Sequence, residues 1–282
     1  MNIIQINSTP DLKKYRNKSN KTIGLVPTMG NLHDGHISLL QESFANNEVS
    51  ILSIFVNPTQ FSVNEDFGDY PRTLESDIQK ATELLKKYPK KTLIIFTPSA
   101  QDIYPTGFDT VISVPRLNKI LEGEFRPTHF DGVSTVVYLL LKIVQPTNAY
   151  FGQKDYQQLI LIKQMTNDLM LDVEIIGLPI IRERSGLPMS SRNQYLDEPE
   201  MQQALTLSKS IDEIALILQE SGIETANVLI DKKMNEDKNW NYLCLKNSES
   251  LEEINNNSKK LVIIGTYQLG STRLLDNKVI KL

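Results

Sequence analysis

"GLVPTMGNLHDGHISLL", residues 24–40, places two of the chain's three histidines within four positions. The apolar run "KTIGLV", closed by Pro27, reads as a strand. Apolar residues at Ile37, Leu39, Leu40 and Phe44 suit a helix from Gly35 to Asn46. His33 and His36 therefore stand where a loop turns into a helix. Three readings compete for them: a metal site, a phosphate site, or side chains that only decorate a helix start.

The metal reading is the weakest. His33 and His36 lack the H-E-x-x-H spacing, in which i and i+4 put both rings on one helical face, and no cysteine pair accompanies them. The phosphate reading fits the setting. A helix N-terminus offers unpaired N–H groups and the positive end of its dipole. Gly30 allows close backbone approach, and Gly35 leaves room at the helix start. Two imidazoles there can donate to phosphate oxygens whose charge grows during attack.

The bulk numbers narrow the class. With 282 residues, 40% hydrophobic and 23% charged, the chain has a soluble globular composition and room for one large domain or two ordinary ones. A net charge of -4 provides no positive footprint for nucleic acid or an anionic membrane, so neither is expected as a partner. One cysteine, Cys244, excludes an internal disulfide and fits a reducing cytoplasm. Between Leu243 and Leu245 it reads as a buried strand thiol. The start, "MNIIQINSTPDLKKYRNKSN", lacks the pattern of a secretory signal. "VSTVVYLLLKIVQP", residues 133–146, is shorter than the roughly 20 residues a spanning helix needs. A cytoplasmic protein is expected.

Short apolar runs at 49–56, 92–96, 110–114, 148–152 and 173–178 read as further strands. Between them lie helical patterns: "SDIQKATELLKKY" with Ser76 as its cap, Gly132 to Val144 capped by Asp131, and Tyr156 to Leu169. Strands alternating with helices imply a parallel sheet with helices on both faces. That is an α/β, Rossmann-like domain over residues 1–180. Residues 181–282 change character: helices at 199–220 and 224–235, then the strands "NYLCLK", "KLVIIGTY", "TRLL" and "KVIKL". Asp276–Asn277 reads as a hairpin turn between the last two. A smaller α+β C-terminal domain is expected there.

Three further strings carry chemistry. In "FVNPTQF" the Gln60 carboxamide can both donate and accept toward a hydroxy acid, though Asn57–Pro58 alone is also a common turn. In "YFGQKDYQQL" Lys154 supplies a point charge for phosphate, Asp155 can cap a helix or hold a ribose hydroxyl, and Gln158 lies one turn on. In "RERSGLPMSSRN" Ser190, Ser191 and Arg192 can bind a triphosphate, or form a polar interdomain linker. A loop at a domain boundary could also close over a ligand.

"HDGH" matches the H-x-G-H signature of nucleotidyltransferases, and four residues alone are weak. The longer "PTMGNLHDGH", with the three strings above in order, resembles the pantothenate synthetase (pantoate–β-alanine ligase) family. The resemblance implies ATP-dependent condensation of pantoate with β-alanine through pantoyl adenylate, releasing AMP and pyrophosphate. It implies ATP contacts at Pro27, Thr28, Met29, Gly30, Asn31, Leu32, His33, Asp34, Gly35 and His36. More would follow at Gly152, Gln153, Lys154, Asp155, Ile181, Met189, Ser190, Ser191 and Arg192. His36, His33, Lys154, Ser190, Ser191 and Arg192 would act in catalysis. Gln60 and Gln158, with Met29 and Asn57, would bind pantoate. The family implies Mg2+ and a homodimer. After "YPRTLE" many members carry two adjacent acids for Mg2+; here the pair is Ser76–Asp77, which leaves Asp77 as the candidate. Arg126 could meet pantoate's carboxylate or form an internal ion pair, and His129 reads as structural. A different adenylyltransferase would share H-x-G-H but not the other strings. The C-terminal hundred residues carry no matching string.

Overall fold

The computed structural model describes residues 2–62 and 67–281. The chain divides into two compact units. The first comprises Met1–Gly152 with Leu161–Leu178, the second Gln153–Ile160 with Pro179–Leu282.

The first unit is built on six strands: β1 (Asn2–Ile6), β2 (Ile23–Thr28), β3 (Val49–Ile54), β4 (Thr92–Phe96), β5 (Asn148–Gly152) and β6 (Glu174–Leu178). All pair in parallel, in the order β1-β4-β3-β2-β5-β6. From β2 the chain steps through β3 to β4 in one direction, then crosses back to β5 and β6. The order reverses between β2 and β5, and in such sheets ligands bind at that reversal, beyond the strands' carboxyl ends.

Right-handed crossovers assign the helices to faces. Helices α1 (Thr9–Arg16), α2 (Asp34–Asn46) and α3 (Leu74–Leu85) precede β2, β3 and β4 respectively. The short α4 (Ala100–Ile103) and α5 (Glu122–Phe125) and the long α6 (His129–Val144) lie between β4 and β5. The β2–β3 and β3–β4 steps run one way, so α2 and α3 share a face. There Leu39, Leu40, Phe44, Ala81, Leu84 and Leu85 pack on Val26, Leu52, Leu93 and Ile95. The β1–β2 and β4–β5 steps run the other way, and α1 packs beside α6. Strand alternation turns Leu25, Ile51 and Ile94 toward that side, all buried.

Helix α7 (Tyr156–Asp168) follows β5. In the second unit α8 (Glu198–Glu236) is two helical segments joined at a kink, where Gly222 takes φ 82° and ψ -179°. Its apolar face, including Leu207, Ile211, Ile214 and Leu218, packs on an antiparallel sheet ordered β7 (Trp240–Asn247), β8 (Lys260–Leu269), β9 (Thr272–Lys281). Among the described residues no helix is long and apolar enough to cross a membrane.

Several local expectations are corrected. Pro27 does not close β2; the strand continues to Thr28, with Pro27 opposite Ser53. Its pairing with β5 ends at Leu25, so the missing N–H lies beyond that ladder. Residues 110–114 form no strand: the Ile112 N–H donates to the Thr135 hydroxyl of α6, and Val111 is largely exposed. Thr73, not Ser76, precedes α3, and Thr128, not Asp131, precedes α6. Asp131 instead accepts from the Asn118 carboxamide. Asp276–Asn277 is not a turn. It lies inside β9, opposite Gly265 and Ile264, and the reversal falls between Leu269 and Thr272. β1 and α1 were outside the expected pattern altogether.

Candidate active site

β2 delivers the histidine loop to the carboxyl edge of the sheet. The Thr28 hydroxyl donates to the Ser53 carbonyl at 2.9 Å and accepts from the Gly30 N–H at 3.2 Å. Gly30 (φ 86°) and Asn31 (φ 50°) then take left-handed conformations that reverse the chain. The fully buried Asp77 carboxylate of α3 holds this reversal. It accepts from the Asn31 N–H at 2.9 Å and the Leu32 N–H at 2.7 Å. Lys80, one turn further along α3, donates to the Leu32 carbonyl at 2.6 Å.

His33 is the N-cap of α2 and His36 its third residue. The His33 Nδ1 accepts from the Gly35 N–H at 3.1 Å, and the His36 Nδ1 accepts from the His33 N–H at 3.3 Å. This is a reciprocal capping box in which imidazoles replace the usual hydroxyl and carboxylate. The ring centroids lie 4.1 Å apart. An Nδ1 that accepts a backbone N–H cannot carry a hydrogen, so in both rings the hydrogen sits on Nε2. Each ring is thus a neutral donor at the first turn of a helix. Asp34, between them in sequence, is exposed.

Gln60 sits in a one-turn 3-10 helix, Pro58–Gln60, capped by Asn57. Its Oε1 accepts from the Asn57 carboxamide at 3.1 Å, and its Nε2 lies 3.1 Å from the Met29 sulfur. Asn57 is itself tied to the Gly132 carbonyl at 3.2 Å and accepts from the Tyr104 hydroxyl at 2.8 Å. Burial raises the Tyr104 phenol above its ordinary range, which keeps it a donor. His129 donates from Nδ1 to the Gln60 carbonyl at 2.9 Å and accepts from Arg126 at Nε2, 3.1 Å away. Arg126 thus has a neutral imidazole as one of its partners. Gly132 is required, because a Cβ there would lie 2.4 Å from the Thr59 carbonyl oxygen.

In the second unit Gln153–Asp155 form a 3-10 turn leading into α7. The Lys154 ammonium lies 3.6 Å from the Asp155 carboxylate. Gln158 is half-buried on the first turn of α7. Ile181 and Met189 are joined by a main-chain hydrogen bond of 2.9 Å across a turn at Gly186. The Ser190 hydroxyl accepts from the Arg192 N–H at 3.2 Å, which starts the 3-10 helix Ser191–Tyr195. In the first unit Gln60 touches both Asn57 and Met29, and in the second the 3-10 turns that carry Lys154 and Arg192 both pack on β9. The histidine loop, Met29, Asn57 and Gln60 belong to the first; Lys154, Asp155, Gln158 and Ser190–Arg192 belong to the second.

Asp77 does not fit a Mg2+ ligand. Both its oxygens already accept backbone N–H groups, one of them the Thr73 hydroxyl as well, and none of the side chain reaches solvent. Among the described residues no three histidine, cysteine or acidic side chains group to hold a metal. Burial pushes the Cys244 thiol up to about 11, which leaves it unsuited to act as a nucleophile. Sequence reading missed Lys80, Tyr104, Arg182, Asp276 and Asn277; each acts through a carbonyl or a buried partner, and no short motif encodes that.

A Rossmann-like sheet with an imidazole-capped helix at its switch point defines a nucleotide-handling α/β enzyme. The model of the pantoate-beta-alanine ligase family matches residues 3–279, and the chain belongs to that family. The chain is 44% identical over 284 residues to a pantothenate synthetase of Caldicellulosiruptor saccharolyticus, covering 98% of both chains. It superposes on the crystal structure of the Thermus thermophilus enzyme with a TM-score of 0.89 at 33% identity, covering 97% of this chain and 98% of that one. A pantoate-beta-alanine ligase from Francisella tularensis, complexed with beta-gamma ATP and beta-alanine, gives a TM-score of 0.73 at 37% identity, covering 98% and 97%. Membership makes this chain an ATP-dependent ligase of pantoate and β-alanine.

Proposed function

We propose that this chain makes pantothenate in two displacements without a covalent enzyme intermediate. A carboxylate oxygen of pantoate attacks the α-phosphorus of ATP, and pyrophosphate leaves. The β-alanine amine then attacks the pantoyl carbonyl, AMP leaves with the C–O bond electrons, and the ammonium proton is lost to solvent. The first step brings two anions together, so cationic and dipolar groups must offset their repulsion. That work falls to His33, His36, the α2 N-terminus, Lys154, Ser190, Ser191 and Arg192. The observation that carries the reading is the reciprocal histidine cap, which puts both hydrogens on Nε2. His36 acts as a hydrogen-bond donor to the transferring or departing phosphate. Giving up its only ring hydrogen as a proton would leave an imidazolate.

Gln60, held by Asn57 and His129, and Gln158 orient pantoate beside Met29. Asp155 holds the ATP ribose, and Gly152, Gln153, Ile181 and Met189 line its path. Residues 1–180 carry the histidines, and residues 181–282 carry the Ser190–Arg192 loop as a further ATP-binding element. Any Mg2+ comes with the phosphates of ATP, and no step above depends on a protein ligand to it. Family membership supports a cytoplasmic homodimer as the working form.

Pantoate-dependent exchange of pyrophosphate into ATP tests the first step, and release of AMP on adding β-alanine tests the second. Exchange that proceeds equally well without pantoate would overturn the reading. Gln60→Ala and Gln158→Ala should each raise the pantoate KM about tenfold, the loss of roughly one hydrogen bond to a charged group. The ATP KM should stay unchanged. A pantoate KM unaltered in both variants would remove the glutamines from the pantoate site.

A further inference from the structure

β9 is an edge strand of the antiparallel sheet, yet two adjacent polar residues near its middle are buried, Asp276 completely and Asn277 to 4% exposure. Consecutive strand residues point to opposite faces, so the two cannot serve the same partner. Asp276 accepts from both terminal nitrogens of the Arg182 guanidinium, at 2.7 and 2.8 Å. Arg182 also donates to the Gly186 carbonyl at 3.0 Å, across the turn that leads to Met189 and Ser190. On the other side the Asn277 carboxamide donates to two successive carbonyls, Gln153 at 2.8 Å and Lys154 at 3.0 Å.

Apolar residues could fill buried strand positions at little cost to stability, and buried ion pairs are often replaceable in that way. What apolar residues could not do is hold the orientation of those main-chain groups. Fixing the peptides on either side of Lys154 fixes where its Cα–Cβ bond points, and so where the ammonium reaches. Fixing Arg182 anchors the base of the segment that ends in Ser190–Arg192. We propose that Asp276 and Asn277 are positioning residues that set the two basic loops of the ATP site from one strand. The inference rests on the reading that Lys154 and the Ser190–Arg192 loop meet ATP.

The test uses the full chain in pantoate-dependent exchange, with the ATP and pantoate KM measured separately. Asn277→Asp is nearly isosteric but turns an ionised carboxylate toward two carbonyl oxygens at neutral pH. The ATP KM should rise about tenfold or more, with the pantoate KM unchanged. As pH falls toward the carboxyl range the new group regains a proton to donate, and the gap to the unsubstituted protein should narrow. A second variant, Arg182→Met with Asp276→Leu, removes both charges together. It should keep the thermal midpoint near that of the parent while raising the ATP KM. Unchanged ATP KM in both variants, or losses that track the folded fraction at every pH, would overturn the inference. Lys154→Ala separates the two levels. If it leaves the ATP KM unchanged, the loop assignment itself fails; if it raises the ATP KM while the β9 variants do not, only the positioning role fails.

Discussion

His36→Ala is expected to slow adenylate formation by about 10² to 10³, the scale of losing one preorganised donor to a developing negative charge. Single-turnover formation of pantoyl adenylate measures it directly, and an unchanged rate would remove His36 from the chemistry. The substitution also breaks the cap, because the His36 Nδ1 accepts the His33 N–H. A lost cap costs about 1 kcal/mol of stability, so part of any defect is structural. His36→Gln separates the two effects: glutamine at this helix position also reaches back to the N-cap amide. Its thermal midpoint should recover while adenylate formation stays well below that of the parent.

The same geometry sets the pH dependence. If His36 had to deliver a proton, adenylate formation would depend on its imidazolium form and fall steadily as pH rose. A neutral ring donating from Nε2 needs no such form, so the rate holds on the alkaline side. Tenfold losses per pH unit above neutrality would overturn the neutral-donor reading.

How much of this was legible depended on whether a residue's partner lay nearby in sequence. The apolar strands at 92–96 and 148–152 could be read to the residue because each is a continuous run bounded by breakers. β1 was missed because polar Asn2 and Gln5 interrupt its pattern at the sheet edge. The Ser8 cap with Pro10 at the start of α1 is a local helix-start signal. "DN" at 276–277 looked like a turn because both residues favour turns in isolation. Their actual partners, Arg182 and the Gln153–Lys154 carbonyls, are distant in the chain and satisfy them inside a strand. The site strings themselves were legible, since each sits on a loop whose chemistry is local. What positions those strings was not.

Asp77 shows that difference most sharply. A lone acid after "YPRTLE" reads as a metal ligand only while its surroundings are unknown. In the fold it accepts two successive loop amides just ahead of His33 and never reaches solvent. Asp77→Ala should therefore cost about 2–4 kcal/mol, because the Leu32 amide is left buried without its acceptor and the Asn31 amide loses a charged one. Asp77→Asn should cost less, since one carboxamide oxygen can still accept while the NH2 faces the other donor. Urea unfolding of both variants checks the order. If Asp77 held the metal instead, both variants would unfold like the parent, and the Mg2+ concentration for half-maximal exchange would rise. The clamp predicts the reverse: unfolding shifts while the Mg2+ dependence of the remaining folded protein does not. The loss of adenylate formation should exceed the loss of folded protein, because a loosened Asn31–Leu32 turn lets the His33–His36 cap drift from the geometry that aims both Nε2 hydrogens.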